Sequence, residues 1–145
     1  MPIQSCLKPF LQAYEVGLAA GDSGNACWGI YFYLEYSFFC GKKLPTLDQD
    51  WGIYLKQKED LSQARPYALT AHRYQVAHNL MGYSEDPFVL SGDIFEMNSF
   101  IPEENDIVTV VCAYQSRIHL AYIMCNDEQG VKLASELFGK VPEKN

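Results

Sequence analysis

Cys27 precedes Trp28 in the stretch "GDSGNACWGIYFYLEYSFFCGK", residues 21–42, and a thiol just after a glycine-containing turn has the makings of a nucleophile. That chemistry needs a base to take the thiol proton and a third group to orient the base. The histidines available are His72, His78 and His119, and no Asn-Ser-Trp segment accompanies them. The glutamine and second cysteine that precede a cysteine-protease nucleophile are missing as well. A chain of 145 residues is also short for a two-domain hydrolase. Packing inside a helix is therefore the expected role of Cys27, and a cysteine hydrolase is the remote alternative. The apolar run from Ala26 to Cys40 contains Glu35 and is shorter than the roughly 20 residues that span a bilayer. A buried helix accounts for it without placing a charge in lipid, and Glu35 then has a partner or lies on the helix's wet strip.

Further along, His72, Gln75 and Asn79 recur at spacings of three and seven residues and so share a helix face. With Arg73 beside them, and Tyr83 and Phe88 just beyond, they suit either a protein partner or hydrogen bonds between helices. We assign partner contact to His72, Arg73, Gln75, Asn79, Tyr83 and Phe88. No metal is expected, because His72 and His78 are six apart and fall on different helix faces. The five cysteines, at 6, 27, 40, 112 and 125, lack Cys-x-x-Cys spacing. The Gly-Lys pair of "CGKKL" has neither the earlier glycine nor the following hydroxyl of a phosphate-binding loop. Glu85-Asp86 and Glu103-Glu104-Asn105-Asp106 occupy polar loops and a helix start, where solvation or capping is the expected role. Neither a cofactor nor a catalytic group is predicted.

The elements that must position these residues are helical. Leu7, Phe10, Leu11, Tyr14 and Leu18 repeat at three and four residues, giving a first helix over about residues 3–20 that stops at Gly21. Asp22 or Ser23 can cap a second helix, apolar around most of its circumference, that ends at Gly41. Thr46 is the expected cap of a third, with Leu47, Trp51, Tyr54 and Leu55 on one face. Pro66 suits the start of a fourth that runs to Gly82. Periodicity then fails between Tyr83 and Glu104, which reads as an ordered connector with one short turn. The segment "DIVTVVCAYQSRIHLAYIMC" opens with β-branched residues, yet its stripe from Ile107 to Cys125 keeps helical spacing over five turns, too long for an ordinary strand. A turn at Asn126-Asp127 leads to a short last helix.

Charge and cysteine usage narrow the partners. Eighteen acidic against eleven basic residues leave a formal charge of −7, and the longest basic run is Lys42-Lys43. Nucleic acid and anionic membrane surfaces fit such a chain poorly. An odd number of scattered cysteines argues against a disulfide framework, and the amino-terminal residues carry no secretory pattern, so a cytoplasmic location is expected. The length suits one domain, residues 1–145, either free-standing or a piece of a longer chain.

Gly17 and Gly29 are twelve apart, as the small residues of a tetratricopeptide-type helix pair are, and Gly52 follows Gly17 by close to that repeat's length. The order of "GD" at 21–22, Ala26, "YFYLEYSFFCGKKLPTL" at 31–47, Tyr54, Gln57, Gln75 with "NLMG" at 79–82, Gly92, Glu96 and "LAY" at 120–122 resembles a known family region. It is similar to the tetratricopeptide-like helical region of large multidomain signalling kinases, which combine Ser/Thr-kinase-like, AAA-type ATPase, GAF and histidine-kinase domains. The resemblance implies an all-α fold of about six helices, arranged as antiparallel pairs in a right-handed superhelical array. It also implies a scaffold or sensor role beside neighbouring kinase and ATPase domains, with no active-site residues in this segment. "SGNACWG" at the start of the second helix and Gly130 depart from that pattern.

The resulting expectation is a non-enzymatic helical-repeat module that binds a protein partner in signal transduction. The alternative is a small-molecule sensor with an aromatic pocket under the loop of residues 83–104.

Overall fold

The computed structural model describes residues 2–60, 64–97 and 106–140. After a short 3-10 turn, Ile3–Cys6, six α-helices follow: α1 (Leu7–Ala19), α2 (Ser23–Phe39), α3 (Leu44–Asp60), α4 (Ala64–Met81), α5 (Ile107–Ile123) and α6 (Asp127–Lys140). The protein is all-α, and consecutive helices pack in antiparallel pairs, most extensively α1 on α2 and α5 on α6. Contacts divide the chain into two compact units, Met1–Ala71 and His72–Asn145, and the division falls inside α4.

In the first unit the helices meet at very short range. A side chain at Gly17 would put its Cβ 2.9 Å from the backbone nitrogen of Ala26. At Gly29 the Cβ would lie 2.9 Å from the nitrogen of Tyr14 and 3.0 Å from the carbonyl oxygen of Phe10. The missing side chains let two backbones approach, and the aromatic residues close over the seam. Phe10 stacks on Phe32 and on Tyr36 with ring centroids 5.5 and 5.4 Å apart, separations typical of favourable aromatic pairs. Ala26, Cys27, Ile30 and Leu34 bury the inward side of α2, and Leu47 and Trp51 that of α3. Gly52, which sequence spacing groups with Gly17, is exposed on α3.

Helix ends follow the expected chemistry, with two corrections. Asp22 caps α2 by accepting from the backbone N–H of Asn25 at 3.1 Å, and Asp106 caps α5 by accepting from Thr109 N–H at 3.2 Å. Thr46 caps nothing: α3 already begins at Leu44, and the carbonyl of Lys43 accepts from the N–H groups of Thr46 and Leu47. Pro45 lies in that first turn, where a proline loses only an N–H that has no intrahelical acceptor anyway. Pro66 likewise falls within the first turn of α4, which starts at Ala64.

At their carboxyl ends α1, α2 and α4 share one motif. Gly21, Gly41 and Gly82 have φ of 74°, 75° and 79°, and the next residue's N–H closes a six-residue loop onto Gly17, Ser37 and His78. Helix α5 ends in the same way without a glycine. Cys125 takes φ 55°, and Asn126 N–H donates to the carbonyl of Ala121 at 2.8 Å.

Candidate functional site

Six residues were assigned to partner contact, and the structure separates them. His72, Arg73, Gln75 and Asn79 are 2%, 6%, 1% and 2% exposed, whereas Tyr83 and Phe88 are 62% and 48% exposed. The buried four lie on α4, within the second unit, and two of them hold the connector in place.

Gln75 uses its whole amide. Nε2 donates to Asn79 Oδ1 at 2.9 Å and reaches the carbonyl of Ser91 at 3.4 Å. Oε1 accepts from the backbone N–H groups of Ile94 at 3.1 Å and Phe95 at 3.2 Å. An amide side chain has two donors and two acceptor lone pairs, so this one is saturated. Asn79 continues the pattern, with Nδ2 within hydrogen-bond distance of the carbonyls of Asp86, Pro87 and Val89, the last at 2.6 Å. Irregular backbone cannot pair with itself as a helix does, and buried unpaired groups cost free energy, so the helix supplies the missing partners. Gly92 permits this contact: a Cβ there would lie 2.6 Å from Gln75 Nε2.

The connector adds its own local order. Ser91 and Glu96 form an antiparallel bridge, and the Ser91 hydroxyl donates to the Glu96 carboxylate. Asp86 Oδ1 accepts from Phe88 N–H at 2.8 Å, a turn-forming contact that fits the Asp-Pro sequence. Leu90 and Phe95 point inward and are buried, so the segment is pinned by apolar as well as polar contacts. The remainder of the expected connector, residues 98–104, lies outside the described residues, as do Glu103, Glu104 and Asn105.

His72 and Arg73 face α5. His72 Nδ1 lies 2.9 Å from Ser116 Oγ, and its ring meets Phe95 edge-on with centroids 5.9 Å apart. Burial, and then the charge of Arg73, hold its pKa down at about 3, so the ring is neutral near pH 7. His72 Nε2 has no hydrogen-bond partner among the described residues. Arg73 Nη1 lies 2.9 Å from His119 Nδ1, and burial together with that guanidinium lowers the His119 pKa as well.

Beside the connector is a cavity of about 390 Å³. Its lining residues include the acidic Glu85, Asp86, Asp93 and Glu96, the small polar Ser84 and Ser91, and one aromatic residue, Tyr83. Sequence reasoning places a pocket under this segment but expects an aromatic lining, whereas the lining is mainly acidic and polar. The spacing of Gln75 and Asn79 before an irregular segment is the legible signal for the clamp. Nothing in the sequence marks Gly92 or Ser116 as their counterparts.

Elsewhere, Cys27 is fully enclosed within the first unit. Among the described residues no three His, Cys, Asp or Glu side chains converge to hold a metal ion, and no helix is long and apolar enough to cross a membrane. Comparison with known proteins gives no matching family model, no matching curated protein and no matching solved structure.

Proposed function

We propose that this chain is a non-enzymatic helical module that binds a protein partner, and that the connector from Tyr83 to Met97 is its contact surface. The observation that supports this reading is the division of labour around Gln75 and Asn79. Their polar atoms are used in fixing the connector, which leaves Tyr83, Phe88 and Val89 exposed on a segment of ordered shape. Apolar and aromatic side chains on a preorganised loop suit recognition, because binding then costs little ordering entropy. The resemblance to the helical region of signalling kinases would set such a module in a superhelical repeat array, as a scaffold between catalytic domains. That part of the proposal rests on the sequence elements alone.

The test is to replace Tyr83 and Phe88 by Ser in the full chain and to identify what co-precipitates from the source cells. The unaltered chain is expected to retain a specific partner that the double variant loses, with helicity and melting temperature unchanged. Equal capture by the variant would move the contact surface away from the connector. A second reading, a small-molecule sensor, draws support from the cavity volume, which lies within the roughly 300–1,000 Å³ of typical ligand sites. A metabolite that raises the melting temperature of the unaltered chain and of the Tyr83/Phe88 variant alike would favour the sensor.

A further inference from the structure

Two thiols stand at one end of the hairpin formed by α1 and α2. Cys6 closes the 3-10 turn just before α1, Cys40 follows α2, and both have right-handed helical backbone angles, so each continues the stripes of its own helix. On α1 one stripe runs through Cys6, Phe10, Ala13 and Gly17, and on α2 one runs through Ala26, Gly29, Tyr36 and Cys40. These two stripes face each other. Gly17 meets Ala26, Gly29 meets the backbone of Phe10, Ala13 and Tyr14, and the Phe10 ring stacks on Tyr36 at 5.4 Å. Because the helices are antiparallel, one further turn in the same direction leads from Phe10 to Cys6 and from Tyr36 to Cys40. The 3-10 turn accordingly packs on α2 as well as on α1.

Within each unit no other pairing of cysteines is open. Cys27 and Cys40 are thirteen residues apart along α2, and Cys112 and Cys125 thirteen apart along α5, which separates each pair by about 20 Å. A disulfide needs α-carbons within about 7 Å. Cys27 is also fully enclosed, at the end of the hairpin remote from Cys6. Cys6 and Cys40, by contrast, are both half-buried, so a small oxidant can reach them. The glycine seam draws the two backbones closer than side chains ordinarily allow, and no residue of the 3-10 turn is buried, so that turn can shift to bring the sulfurs together.

We propose that Cys6 and Cys40 are a reversible redox pair, joined by hydrogen peroxide into a disulfide that clamps the amino-terminal turn onto the end of α2. One thiolate attacks a peroxide oxygen: an S–O bond forms, the O–O bond breaks, and the departing hydroxide takes up the thiol's proton as water, leaving a sulfenic acid. The second thiol attacks that sulfur, the S–S bond forms as S–O breaks, and its proton leaves with the expelled hydroxide as a second water. The two thiols together lose two electrons, and peroxide accepts them. A small dithiol reverses the bond by exchange. This device lies in the first unit and stands apart from the reading of the connector.

The experiment treats the full chain with hydrogen peroxide, blocks remaining thiols with N-ethylmaleimide, and maps the peptides by mass spectrometry. The expected product is about 2 Da lighter before blocking and yields one cross-linked peptide pair, containing Cys6 and Cys40. Closing the loop of residues 6–40 should raise the melting temperature by about 10 °C, and dithiothreitol should return it. Cys6→Ser and Cys40→Ser should each lose the cross-link and the shift, whereas Cys125→Ser should keep both. Mapping on the unaltered chain decides the pairing even where a variant fails to fold. A different internal cross-link, linkage only between two chains, or oxidation of Cys6 or Cys40 without a bond between them would overturn the proposal. A Cys6–Cys40 bond that leaves the melting temperature unchanged would overturn the clamp.

Discussion

Helix α2 meets α1 through Gly17 and Gly29, whereas α4 meets the connector through Gln75 and Asn79, and the two contacts solve different problems. Two helices satisfy their own backbone hydrogen bonds, so their approach is limited only by volume. Removing a Cβ at the crossing is then enough, and the aromatic side chains of Phe10, Phe32 and Tyr36 supply apolar burial alongside. The connector has backbone groups with no regular partner, and volume is not its difficulty. There the helix must present side chains with donors and acceptors in the right places, and a single glutamine and a single asparagine satisfy much of that need. A small residue and a buried amide on a helix face thus signal opposite kinds of neighbour.

The contrast can be broken most sharply at Gln75. Gln75→Leu keeps the volume but leaves the Phe95 and Ile94 N–H groups and the Asn79 amide without their partner, and it should cost about 3 kcal/mol in urea unfolding. A cost below about 1 kcal/mol would show that the connector does not depend on the amide. Gly29→Ala tests the opposite contact. The gain in helix propensity is about 1 kcal/mol, but the neighbouring atoms are backbone and cannot move aside, so a net loss of about 2 kcal/mol is expected. Net stabilisation would mean that α1 and α2 can separate freely.

Histidine 72 gives the comparison a pH axis, with His72 buried neutral in the second unit. Its folded pKa of about 3 lies below the unfolded value of 6.5, so the folded state binds fewer protons than the unfolded state in that interval. The stabilising contribution is complete above pH 6.5 and is lost as pH falls from there toward 3. Unfolding free energy should therefore fall by up to about 1.4 kcal/mol per pH unit from this group, and His72→Gln should flatten the slope. An unchanged slope in the variant would show that His72 charges without penalty.

The smallest effect is at the ends of helices. The first unit ends α1 and α2 with glycine in the left-handed region, while α5 in the second places Cys125 there at φ 55°. Cys125→Gly should stabilise by about 1 kcal/mol, measured as a rise in melting temperature, because a Cβ is strained in that conformation.

Much of this architecture is legible in the sequence, for reasons that differ by element. Apolar spacing locates all six helices, and "AGD", "CGK" and "MGY" mark three of their ends because glycine alone adopts the left-handed turn without strain. The β-branched opening of α5 competes with its helical stripe, and the length of the stripe decides correctly. The end of α5 is obscured because cysteine stands in a glycine's place, and the start of α3 because Pro45 lies inside the helix. The polar stripe on α4 is visible as a pattern, but its direction is not. A helix face carrying His72, Gln75 and Asn79 looks the same in sequence whether it meets solvent, another helix or a loop, and only the fold shows that the connector returns over it.

The single glutamine at the centre of that return also sets a clock for the segment. Loop amides ordinarily exchange with solvent in brief local openings, at rates set by the loop itself. Those of Ile94 and Phe95 are held by a side chain rooted in the middle of α4, so their protons are released when Gln75 and the connector part from one another. Deuterium uptake at these two positions should therefore run slower than at the exposed amides of the same segment, and Gln75→Leu should erase the difference.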